Sequence, residues 1–148
     1  MSVEIDTSSW QEVGETSNSR YYQIAPHVLG VVPHPGSRDD GATAHENLAF
    51  QHAHLRRIGG GVVVIFFDNM VSQDKDARRA YQTDADPALM RGVALVGGSM
   101  LARAIGSFFL GISRPRVALK MFGTLEQARH WADERNRAAA ASAPEGAP

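Results

Sequence analysis

At 148 residues, with 43% hydrophobic and 21% charged residues, the chain is long enough to fold as one domain with a real core. A formal net charge of -1 argues against a general electrostatic grip on nucleic acid, so no nucleic-acid partner is expected. The lack of cysteine removes disulfides, thiol catalysis and cysteine-ligated zinc together, and fits a reducing, cytoplasmic setting.

Residues 1–18 are polar and rich in Ser, Thr and Glu, with no basic start and no apolar run, unlike a secretory signal. A flexible arm is expected there, with Trp10 as its anchor. Arg20 to Ala25 and Val28 to Val32 are short β-type runs joined tightly at Pro26-His27. Pro33 to Gly36 ends the second run, and Ser37 to Gly41 reads as a polar loop. Thr43 with Glu46 three residues on is a capping-box pattern. It predicts a helix to about Arg57, with Ala44, Leu48, Gln51, Leu55 and Ile58 as the inner stripe, stopped by Gly59-Gly60-Gly61.

Val62 to Phe67 is a continuous run of apolar β-formers, as in a strand buried on both faces, and Asp68 and Asn69 close it. Ser72 is the expected N-cap of a short helix from about Gln73 to Gln82. Gly92 to Val96 is a second buried strand, and Ser99 is expected to cap a helix reaching Ile112. Val93 to Ile112 has the length of a membrane span, but Arg103 near its middle would cost about 2.5–3.5 kcal/mol on insertion. Gly97-Gly98 also divides it, so it reads as a strand followed by a helix, and no membrane span is expected. Val117 to Phe122 is the last strand. Thr124 caps the last helix, with Leu125, Ala128 and Trp131 on its inner side. The low-complexity stretch from Ala138 is expected to be disordered.

The order β-β-α-β-α-β-α-β-α implies an α/β domain over residues 19–137, flanked by the arm (1–18) and a tail (138–148). The fold class is a single-domain mixed, mostly parallel sheet with four helices.

Several motifs occur along this order: Glu46-Asn47-Leu48, Asp68 at a strand end, Ser72-Gln73-Asp74-Lys75-Asp76-Ala77-Arg78, Val93-Ala94-Leu95-Val96, Phe108-Phe109-Leu110-Gly111, Arg114-Pro115, Leu119-Lys120-Met121-Phe122 and Ala128-Arg129-His130-Trp131. Over about residues 20–132 the pattern resembles the STAS-like, SpoIIAA-like superfamily, and within it a bacterial branch labelled STAS/SEC14-like. The resemblance implies a STAS-like fold and a regulatory role. It also points to the segment from Asp68 to Asp74, where STAS domains carry a phosphorylated Ser or Thr. Ser72 is the only hydroxyl there, and Gln73 departs from the usual D-x-S/T-G pattern.

Ser72 is therefore a candidate phosphoacceptor, beside the alternative of a plain cap. Gly97-Gly98-Ser99 would offer N–H groups to an anion, or serve only as a tight turn. His45-Glu46-Asn47-Leu48-Ala49 lacks the second histidine of a zincin motif, so the histidines read as surface residues and no metal is expected. Between Pro87 and Leu125 there is no acidic residue, but Arg91, Arg103, Arg114, Arg116 and Lys120 occur, a candidate basic face. No nucleophile elbow or cofactor motif is present, so neither a catalytic residue nor a cofactor is assigned.

The expected function is a non-enzymatic STAS-like module that binds a protein partner. The binding surface would be Asp68, Asn69, Ser72, Gly97, Gly98, Ser99 and Arg103, gathered at the C-terminal edge of the sheet. A homodimer is compatible with this. Two alternatives stand beside it: a carrier or sensor for a small apolar or lipid-like ligand in a groove lined by Phe108, Phe109 and Trp131, and an enzyme with its site at that same edge.

Overall fold

The computed structural model describes residues 5–98 and 116–142. Its strands are β1 (Gln11–Glu15), β2 (Ser19–Ala25), β3 (Val28–Pro33), β4 (Ser37–Asp39), β5 (Gly61–Phe66), β6 (Met70–Gln73), β7 (Met90–Val96) and β8 (Leu119–Phe122). The helices among the described residues are α1 (Gly41–Ile58), α2 (Lys75–Asp84) and α3 (Leu125–Ser142), with a 3-10 turn at Phe67–Asn69. The helix expected from Ser99 lies outside the described residues, so three of the four expected helices are seen.

Six strands form one sheet in the order β1-β2-β3-β5-β7-β8. β1, β2 and β3 pair antiparallel, whereas β3, β5, β7 and β8 pair parallel. The fold is thus a mixed, mostly parallel α/β sheet, with β5 and β7 in its interior. Their unbroken apolar runs follow from cover on both faces. Val63 packs with Leu29, Leu48 and Leu55 on the face under α1 and α2. Val62, Val64 and Ala94 pack with Ala128 and Ala132 of α3 on the other.

The β2–β3 connection is tight because His27 takes a left-handed conformation, φ 58°. Its ring Nδ1–H donates to the Gly60 carbonyl at 2.7 Å, which offsets part of the strain of a non-glycine there. Gly59 and Gly60 at φ 83° and 91° end α1 as the sequence predicts.

Five expectations are corrected. Part of the arm is ordered: Gln11–Glu15 forms edge strand β1, with Glu12 and Glu15 bridged to Arg20 of β2. Trp10 does anchor this segment, with its ring centroid 5.8 Å from both Tyr22 and Phe66. The cap of α1 is Asp40 rather than Thr43. Asp40 Oδ1 accepts the Thr43 N–H at 2.9 Å and the Thr43 hydroxyl accepts the Asp40 N–H at 2.8 Å, a capping box shifted upstream. Ser72 does not cap α2; Asp74 does, its carboxylate accepting the Ala77 N–H at 2.9 Å.

Ser72 lies instead in β6, which pairs parallel with β4 in the segment expected to be a loop. That pairing is non-local, so neither segment carries a periodic signal for it. Finally, α3 runs to Ser142, into the expected tail. Consecutive alanines carry the highest helix propensity, which favours continuing the helix.

Candidate functional site

The parallel register places Phe66 of β5 beside Val96 of β7, so the segments after both strands emerge at one edge. Asp68 ties them together: its two carboxylate oxygens lie 3.2 and 3.3 Å from the Gly98 nitrogen and accept that N–H. The Gly97 N–H donates to the Phe122 carbonyl at 3.2 Å, joining the end of β8 to the same edge. Asn69 is buried, and its carbonyl accepts the Gly36 N–H at 3.0 Å. Four of the expected site residues, Asp68, Asn69, Gly97 and Gly98, are thus brought together.

Ser72 stands on β6 and is half-buried, next to Arg38 in the β4–β6 ladder. Arg38 Nη1 donates to the Ser72 Oγ at 3.5 Å. Ser99 and Arg103 lie outside the described residues, as do Phe108 and Phe109. Trp131 packs on Gly92 and on Phe122, ring centroids 5.6 Å apart, within the core on the α3 face.

A second arrangement was not foreseen. β4 and β6 deliver the chain into α1 and α2 side by side, and the Asp39 carboxylate is buried where both helices begin, 3% exposed. Oδ1 accepts the Thr43 hydroxyl at 2.6 Å and Asn18 Nδ2 at 3.4 Å. Oδ2 accepts the Tyr81 hydroxyl at 2.7 Å and Gln73 Nε2 at 3.4 Å. These partners are neutral. Together with the positive ends of two helices they stabilise a buried carboxylate. Burial first, and the neighbouring Asp39 charge second, push the Tyr81 hydroxyl well above its ordinary pKa, so it stays a donor.

The network continues through Asn47. Its Oδ1 accepts the Thr16 and Tyr21 hydroxyls at 2.6 and 2.7 Å, and its Nδ2 donates to Asn18 at 2.9 Å. Burial likewise raises the Tyr21 pKa. The one local hint of this cluster is Gln51, a polar residue on the inner stripe of α1; Asn47, one turn earlier, is buried beside it.

Beside this network a cavity of about 100 Å³ lies between the sheet and the α1–α2 layer. Val31, Leu48, Ile65, Val93 and Leu95 give it apolar walls, and Asp39 and Gln73 are among its polar lining.

The other candidate groups separate. Among the described residues no cluster of three or more His, Asp or Glu is placed to hold a metal. His54 is not the expected surface histidine but is buried. Its Nε2–H donates to Gln23 Oε1 at 2.6 Å and its Nδ1 accepts from Arg57 at 3.0 Å. Of the candidate basic face, Arg103 and Arg114 lie outside the described residues, and two of the others are engaged within the fold. Arg91 donates to the Gly59 carbonyl at 2.9 Å and to Asn136 at 3.2 Å, and Arg116 donates to the Thr83 carbonyl. No helix among the described residues is long and apolar enough to cross a membrane.

No curated protein matches the chain. Among solved structures it is similar to the anti-sigma factor antagonist SpoIIAA in its unphosphorylated form, at 12% identity and a TM-score of 0.49, over 78% of this chain and 97% of that one. A family model described as a domain of unknown function, DUF7793, matches residues 55–136, from the end of α1 through most of α3. That stretch is more than half of the sequence, and the chain belongs to the DUF7793 family.

Proposed function

We propose that this chain is a non-enzymatic, STAS-like regulatory module that binds a protein partner at the C-terminal edge of β5 and β7. The observation that carries this reading is the Asp68–Gly98 tie, which fixes the ends of two interior strands side by side. Segments held this way on a rigid scaffold are where binding gathers in open α/β sheets. An added Cβ at Gly98 would meet nothing within 4 Å, so this turn presents bare backbone to an approaching surface. Val71, two residues beyond Asn69, is 45% exposed and adds an apolar contact. The motifs shared with STAS-like proteins support the same reading. Ser72 is the regulatory hydroxyl in it, and the Arg38 guanidinium beside it would pair a phosphate placed there.

The test compares wild type, Gly98→Asp and Gly98→Ala in pull-downs from the native cell, with far-UV circular dichroism as the folding control. The aspartate sets a negative charge against Asp68 on the proposed surface, whereas the alanine only adds a methyl group. Loss of the specific partner with Gly98→Asp and its retention with Gly98→Ala is the expected result. Recovery of the same partner with a natively folded Gly98→Asp defeats the proposal and shifts attention to the basic segment from Arg114 to Lys120.

A further inference from the structure

The cavity beneath α1 and α2 has no part in the partner surface, yet it combines two features of a small-molecule site. Its walls are largely apolar, and a few polar groups, Asp39, Gln73 and Arg116 among them, also line it. Gln73 contributes a specific chemistry. The Gln73 amide turns its NH2 toward the Asp39 carboxylate, Nε2 donating to Oδ2 at 3.4 Å. That fixes the position of Gln73 Oε1. It is buried and accepts no hydrogen bond among the described residues. A buried acceptor without a donor costs free energy, and a ligand that supplies the donor recovers it.

We propose that this cavity binds a small, compact apolar molecule carrying one neutral hydrogen-bond donor, an alcohol. Its hydrocarbon body rests on Val31, Ile65, Val93 and Leu95, and its O–H donates to Gln73 Oε1. Size limits the body to about one small ring. The cavity is about 100 Å³, and an apolar cavity of about 150 Å³ accommodates benzene.

The matched probes are cyclopentanol and cyclopentane, titrated at millimolar concentrations into the protein. Binding is followed by chemical shifts of the Val31, Val93 and Leu95 methyl groups. The alcohol is expected to bind about tenfold more tightly than the hydrocarbon, the value of one net hydrogen bond. Gln73→Leu should bring cyclopentanol to the affinity of cyclopentane. Val93→Phe, which adds bulk at the cavity wall, should abolish binding of both. Equal affinity for cyclopentanol and cyclopentane in wild type overturns the donor chemistry. An advantage of cyclopentanol over cyclopentane that survives Gln73→Leu, or binding of either probe that survives Val93→Phe, each variant checked for native circular dichroism, overturns the site, as does the absence of methyl shifts with both probes. Neither variant touches Asp68 or Gly98, so partner binding and cavity binding fail separately.

Discussion

The Tyr81 hydroxyl donates to Asp39 at 2.7 Å, joining α2 to the end of β4. The two residues are far apart in sequence, and each is supplied by an element whose course depends on the β4–β6 pairing. The contact closes the polar network between the two helices, so it is the most direct probe of that network.

Tyr81→Phe removes this donor and leaves the ring in place. A hydrogen bond to a buried charged group contributes about 1.5–3 kcal/mol, and a loss of that size in urea-melt stability is expected. A loss under about 0.5 kcal/mol would show that Asp39 does not depend on Tyr81.

The caps of α2 separate the expected from the observed start of that helix. Asp74→Ala deletes the acceptor of the Ala77 N–H and should cost about 1 kcal/mol. Ser72→Ala leaves the cap intact and should cost less than about 0.5 kcal/mol. Thermal melts of the pair reverse in rank if Ser72 is the true cap.

Gly61 begins β5 against the β2–β3 turn, where a Cβ would overlap the His27 carbonyl, a backbone group that cannot swing aside. Gly61→Ala should therefore destabilise by about 2–3 kcal/mol, as overpacking does. Gly98→Ala, with open space around it, should change stability by no more than about 0.5 kcal/mol. Chemical denaturation of both variants checks the contrast.

His54 is held below its ordinary value of 6.5 by burial first and by the Arg57 charge second. His52 is also lowered, chiefly by burial. In the window between these depressed folded-state values and 6.5, the unfolded chain binds protons that the native fold does not. Stability is then retained above pH 6.5 and declines as pH falls through that window. His54→Gln keeps a donor for Gln23 and removes one of the two titrations. Its stability should fall less steeply than wild type between pH 7 and pH 5, measured by denaturation at stepped pH. An equal slope would mean that His54 titrates alike in both states.

The parts of the fold legible from the residues alone are those that report on local or periodic physics. The apolar runs at Val62 to Phe67 and Gly92 to Val96 read as strands covered on both faces, and they fall in β5 and β7, with Phe67 opening the 3-10 turn. The glycines after Ile58 had to stop a helix. Once two strands were read as parallel interior neighbours, their following segments had to share an edge, and Asp68 and Gly98 meet there.

The places of Ser72 and Asp39 emerge from long-range pairing. Both sit in short polar segments whose strand character comes from pairing with each other across the chain, an interaction that leaves no period in either segment. The same pairing aligns the starts of α1 and α2 and buries Asp39 among neutral donors. A carboxylate in a polar loop and a carboxylate in a core look alike in sequence. What distinguishes them is the set of donors that folding brings within hydrogen-bonding distance, and these come from β2's lead-in, α1, β6 and α2 at once.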